Sequence, residues 1–72
     1  MKRKNKIKIK INGKYQSINQ DLSVFDLTTK LKIPIKKVAI EINKKIIDKK
    51  RIEKINLKEK DKVEIVHFIG GG

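Results

Sequence analysis

The residues best placed to do chemistry in this sequence are its last four, Ile69-Gly70-Gly71-Gly72. At an average glycine usage of about 7%, three glycines at one fixed place arise by chance roughly once in 3,000 sequences. A glycine strip carries no side chains, so it is thin and pliable enough to thread a carboxylate into a narrow active site. The plain alternative is a frayed chain end. The residues just before the tail, Lys62 to Phe68, read as a strand, so the expectation is a strand that hands a carboxylate at Gly72 to a second protein.

No other group of residues makes an enzyme site. His67 is the sole histidine, and no nucleophile or base accompanies it in a triad-like pattern. There is no cysteine, hence no disulfide framework and no Cys–zinc site. No glycine loop opens a helix, and no metal-ligand spacing is present. The expectation is no catalytic residue, no metal and no cofactor bound by this chain: it reads as a substrate or carrier.

The charge is lopsided, with 20 Lys and Arg against 8 Asp and Glu, a formal +12. Only Arg3 and Arg51 are arginine. Lysine, isoleucine and asparagine, all frequent here, share AT-rich codons, so genome composition accounts for much of the excess. Arginine and aromatic side chains, the carriers of base readout and base stacking, are scarce. Specific nucleic-acid binding is therefore not expected, whereas electrostatic steering towards an acidic partner is. No apolar run nears the ~20 residues of a spanning helix, so no membrane partner is expected. The basic start, Met1 to Lys6, lacks the apolar stretch of a signal peptide. The expected setting is the cytoplasm, or the plastid stroma for an organelle-encoded chain, and the expected free state is a monomer.

The elements that must position the tail follow from periodicity. Lys6 to Ile11 alternates strictly, predicting a strand with Ile7, Ile9 and Ile11 inward. Asn12-Gly13 is a strong hairpin signal, and Lys14 to Ile18, with Tyr15 and Ile18 as its larger apolar groups, is the return strand. Asn19 to Asp21 is a polar connection. Ser23 with Asp26 makes a capping box, and Leu22 with Leu27 a hydrophobic staple. Val24, Leu27 and Leu31 share a helix face. Pro34 biases Ile33 away from helix, so the helix is expected to end near Lys32. Lys37 to Ile42 is a second alternating strand, Asn43 to Lys45 a turn, and Ile46-Ile47 a very short strand. Asp48 to Leu57 is charged, with one helical turn expected around Ile52 and Ile55. Glu59 to Asp61 is a turn before the last strand. This order gives one α+β domain over 1–72, a helix packed on one sheet face, with a basic extension at 1–5 and a tail at 69–72.

The last strand breaks its own pattern. Val63 and Ile65 alternate with Lys62 and Glu64, but Val66 and Phe68 fall on the Glu64 side, away from the core. Ala39 joins them if the two strands pair. Exposed apolar groups beside a reactive tail predict a docking patch of Ala39, Val66 and Phe68. The competing expectation is that a loop covers them, or that Phe68 folds over the sheet edge.

Three stretches then resemble a known family. They are Asn12-Gly13-Lys14, the block Val38 to Ile47 (VAIEINKKII), and above all Asp61 to Gly72 (DKVEIVHFIGGG). The chain is similar to the ubiquitin-like β-grasp sulfur carriers, in particular the ThiS type of thiamin biosynthesis. The resemblance implies a four- to five-stranded mixed sheet with one main helix. A terminal carboxylate is a poor electrophile and must first be activated. The family's chemistry implies that a ThiF-type adenylyltransferase uses ATP and Mg²⁺ to adenylate Gly72. Sulfur from a cysteine desulfurase then yields a thiocarboxylate, and a ThiG-type thiazole synthase takes the sulfur. Ile69, Gly70 and Gly71 would be the threading tail. Sister carriers of the molybdopterin-synthase small-subunit or tRNA-thiolation type share fold and tail, as do ubiquitin-like protein modifiers. A basic nucleic-acid-binding module is the alternative of a different class.

Overall fold

A computed structural model describes residues 5–68. The elements run β1 (Lys6–Ile11), β2 (Lys14–Asn19), α1 (Val24–Lys30), a 3₁₀ turn (Ile35–Lys37), β3 (Val38–Ile42), β4 (Lys45–Ile46), a longer 3₁₀ segment (Lys49–Lys54) and β5 (Lys62–His67). They form one five-stranded sheet in the order β2-β1-β5-β3-β4. β1 and β5 are parallel, and the other neighbours are antiparallel. The last strand thus occupies the centre of a mixed sheet.

Sequence chemistry explains each junction. Asn12 and Gly13 both take positive φ, 49° and 85°, as do Asn43 and Lys44, 52° and 71°. Two residues of positive φ match the twist of a tight antiparallel hairpin, and asparagine and glycine tolerate that region best. At the helix start the Ser23 Oγ accepts from the Asp26 N–H at 3.0 Å, and the Asp26 carboxylate accepts from the Ser23 N–H at 3.4 Å. The predicted capping box is present.

The helix ends earlier than expected, at Lys30, and by a different device. Lys32 adopts a left-handed φ of 57°. Its N–H donates to the Thr29 carbonyl (3.1 Å), and the Ile33 N–H donates to Thr28 (2.9 Å). This bond pair is a Schellman closure, with lysine where glycine is usual. Leu31 therefore sits at the cap and is part-exposed, while Val24 and Leu27 are buried.

The core is a layer between one sheet face and the helix side. Ile9, Ile11, Ile18, Val38, Ile40, Ile42, Val63 and Ile65 come from the sheet; Val24 and Leu27 come from α1; Ile52 and Leu57 come from the later connection. α1 is tied to that connection by backbone bonds, Val24 N–H to the Ile55 carbonyl and Leu57 N–H to the Leu22 carbonyl, both 2.8 Å. The described residues cover one sheet face and leave the other open. Tyr15, expected among the larger apolar groups of its strand, lies on the open face and is 68% exposed. At the start of the chain, the Asn5 carbonyl accepts from the Gln20 N–H at 2.8 Å, so the pairing of β1 and β2 extends into the last residue of the basic extension.

Candidate functional site

The site is built on β5. Alternation along Lys62–His67 sends Val63 and Ile65 into the core and Lys62, Glu64 and Val66 to the open face. On the neighbouring strand Val38, Ile40 and Ile42 are buried, and Ala39 and Glu41 look outward. The register sets Ala39 directly opposite Val66. Val66 is 52% and Phe68 54% exposed, and Ala39 is half-buried. The register brings Ala39 and Val66 together on the open face, and Phe68, also exposed, follows directly beyond the end of β5. Among the described residues no loop covers Val66. The Lys49 ammonium stands 4.9 Å from the Phe68 ring centroid. The predicted tail residues Ile69, Gly70, Gly71 and Gly72 lie outside the described residues.

The exit of β5 is held on both sides. On the β3 side, the Phe68 N–H donates to the Lys37 carbonyl at 2.9 Å. On the β1 side, backbone pairing stops where β1 turns: the last bond is Asn12 N–H to the Val63 carbonyl, 2.9 Å. The Asn12 side chain then takes over. Its Oδ1 accepts from the Ile65 N–H at 2.8 Å, and its Nδ2 donates to the Ile65 carbonyl at 3.3 Å. The other hairpin asparagine does the same at the strand's entry. The Asn43 Oδ1 accepts from the Lys62 N–H at 3.0 Å, and its Nδ2 donates to the Asp61 carboxylate at 3.0 Å. Reading the sequence placed both asparagines in turns and missed these bonds. Asparagine at the first left-handed turn position is the one signal present, but its partner strand lies up to 53 residues away.

A second feature of the open face was also missed. Beside β1, Lys8, Lys10, Tyr15, Glu59, Lys60 and Lys62 line a shallow cleft of about 290 Å³. The Lys10 and Lys8 ammonium groups stand 4.9 and 5.8 Å from the Tyr15 ring centroid. Lys10 lies directly opposite Lys62 across the parallel pair. Like charges so placed repel, which makes this cleft receptive to an acidic surface.

The described residues bring together no cluster of three or more acidic, histidine or cysteine side chains that could hold a metal. His67 is exposed at the end of β5, opposite Val38, a residue that offers it neither acid nor base. No described helix is long and apolar enough to cross a membrane. The arrangement presents an open surface beside the exit of β5.

Comparisons with known proteins agree with this arrangement. The model of the ThiS family matches residues 9–72, which includes the glycine tail. The chain is 38% identical over 65 residues to the sulfur carrier protein ThiS of Bacillus subtilis (strain 168), covering 89% of this chain and 98% of that one. It is 36% identical over 66 residues to a thiazole synthase of Paramagnetospirillum magneticum, covering 92% of this chain but 20% of that protein. The solved structure of the thiamine biosynthesis protein ThiS from Geobacter metallireducens superposes with a TM-score of 0.82 at 28% identity, covering 92% of this chain and all of that one. Tail, register, sheet order and similarity along nearly the whole length converge: the chain belongs to the ThiS family of sulfur carriers, with the β-grasp fold of its structural neighbour.

Proposed function

We propose that this ThiS-family carrier serves thiamin biosynthesis by accepting sulfur on the Gly72 carboxyl group and delivering it to a thiazole synthase. The observation that carries the reading is the placement of β5. The strand that leads into the tail is the central one, pinned at both ends, and an uncovered apolar patch of Ala39, Val66 and Phe68 adjoins its exit. A partner seated on that patch has the chain end within reach.

The chemistry divides between the chain and its partners. A ThiF-type adenylyltransferase, with ATP and Mg²⁺, joins the carboxylate to AMP and releases pyrophosphate. The persulfide sulfur carried by a cysteine desulfurase attacks the acyl-adenylate and displaces AMP, and a thiol reductant cleaves the resulting acyl disulfide to leave the thiocarboxylate. This chain supplies the carboxylate, a tail narrow enough to enter both partners, and the docking face. A side chain at Gly71 or Gly72 would widen the strip and restrict its backbone. Support for the thiazole synthase as acceptor comes from the Paramagnetospirillum protein, in which a segment similar to this chain is one-fifth of a protein named for that activity.

The test is an intact mass spectrum after incubation with ATP, Mg²⁺, a ThiF-type enzyme and a sulfide source. The expected result is the gain of one sulfur for one oxygen, localised to the fragment ending in Gly72. It should be absent in Gly72→Val, whose thermal transition should match wild type. An unmodified wild-type chain beside an enzyme shown active on its own carrier, or a full gain in Gly72→Val, would overturn the reading.

A further inference from the structure

β5 outruns its parallel neighbour. β1 ends at Ile11, opposite Val63, and the chain turns away at Asn12-Gly13. From Glu64 onward β5 has a strand beside it on the β3 side alone. A strand with one free edge twists and frays more readily than a paired one. Its final residues are those that must aim the chain end. At this gap the Asn12 carboxamide supplies one acceptor and one donor to Ile65, satisfying both backbone groups that a continuation of β1 would otherwise have met. Ile65 lies three residues before Phe68, on the segment that carries the docking patch.

We propose that Asn12 is a positioning residue for sulfur loading: its side chain stands in for a continuation of β1 and fixes the direction in which β5 leaves the sheet. This inference rests on the proposed carrier function. The group touches neither partner nor the reacting carboxylate; it acts through Ile65. A carrier without it keeps its patch and its tail but offers them in a wider spread of relative orientations. A larger share of encounters then fails, which raises KM for the carrier and leaves turnover of the bound complex nearly unchanged.

The molecule contains its own control. Asn43 also occupies the first position of a tight hairpin turn and also bonds the backbone of β5, at Lys62, the end remote from the exit. Asn12→Gly and Asn43→Gly both keep a turn residue suited to positive φ, and both remove side-chain bonds to β5. Comparable losses of melting temperature are expected. Their effects on loading should differ. With two hydrogen bonds removed at the exit, Asn12→Gly should raise KM for the carrier in ThiF-type adenylation about tenfold, with kcat within twofold. Asn43→Gly should leave both near wild type. In the free carrier, amide hydrogen exchange at Ile65 should rise about tenfold or more in Asn12→Gly and not in Asn43→Gly. Asn12→Asp keeps the acceptor for the Ile65 N–H and should fall between wild type and Asn12→Gly in both readouts.

Equal KM increases in the two glycine variants would reduce Asn12 to a stabilising residue and overturn the proposal. So would unchanged Ile65 exchange in Asn12→Gly. Failure of the wild-type chain to be adenylated at all would strike the carrier function instead. The exchange experiment, which needs no partner, keeps the two failures apart.

Discussion

Truncating Phe68 to alanine isolates the docking surface from the reactive tail. The side chain is 54% exposed in the free chain. An aromatic residue of this size presents about 200 Å², so about 100 Å² is available to a partner. At about 25 cal/mol per Å², complete coverage contributes about 2.5 kcal/mol and half coverage about 1.2 kcal/mol. Those values correspond to about a 70-fold and an eightfold rise in Kd. The remainder of the ring belongs to the fold, including its contact with Lys49, so the melting temperature should also fall by several degrees. Binding must therefore be measured at a temperature where the variant is fully folded. Titration calorimetry against a ThiF-type enzyme, at fixed salt, should show a loss between those limits. Phe25→Ala is the control, because Phe25 is also part-exposed but sits on α1, across the sheet from the patch. A Kd within twofold of wild type for folded Phe68→Ala, or an equal loss for Phe25→Ala, would refute the assignment of Ala39, Val66 and Phe68 as the docking surface.

Two further variants separate stability from association. Lys10→Glu replaces one of two lysines that face each other across β1 and β5, so it should raise stability by about 0.2–1 kcal/mol while slowing association with an acidic partner. Stopped-flow association rates should show the defect at low salt and lose it near 0.5 M salt, where the Debye length falls to about 4 Å; an unchanged rate at low salt would remove the cleft from the encounter. Ser23→Ala deletes the bond to the Asp26 N–H and should cost about 1 kcal/mol, a fall of about 4–8 °C in Tm, with loading by the activating enzyme unaffected. Denaturation followed by circular dichroism checks it, and a change below 1 °C would contradict the energetic role given to the cap.

Elements governed by nearby residues were legible in the sequence. The first hairpin, the capping box and both alternating strands stand where local pattern put them, because each depends on contacts within a few residues. The outward placement of Val66 was legible for the same reason: period-two alternation fixes the face of a strand whatever its neighbours are. What escaped notice depends on distant partners. The clamp from Asn12 to Ile65 spans 53 residues and exists because β5 inserts beside β1. The mixed sheet came into view through family resemblance, since local pattern leaves strand order open. The end of α1 was misplaced because its signal was Pro34, whereas the closing conformation belongs to Lys32, a residue type with little preference for positive φ. Tyr15 was grouped with the apolar residues of its strand, yet its register opposite Lys10 turns it to the open face, where two ammonium groups flank the ring.

The two sheet faces divide the demands on a small domain. With one helix, the chain covers one face, and the buried side of β5, Val63 and Ile65, serves the core. The uncovered side breaks local rules of stability: Lys10 faces Lys62, Glu41 faces Glu64, and Val66 and Phe68 meet solvent. A protein of this size has little stability to spare, so conflicts gathered on one face are most simply explained by what binds there. The same strand bears both sides. A partner that grips the outer residues of β5 pulls against the backbone bonds to β3 and the Asn12 side-chain bonds at Ile65, with the β1 backbone pairing behind them as far as Val63. An edge strand would lack one of those restraints, and its terminus would wander with the fraying of the sheet. On the proposed carrier function the sheet order serves loading as much as folding: the strand that leads to the glycine tail is central, paired with β1 at Lys62 and Val63 and with β3 from Val63 to His67.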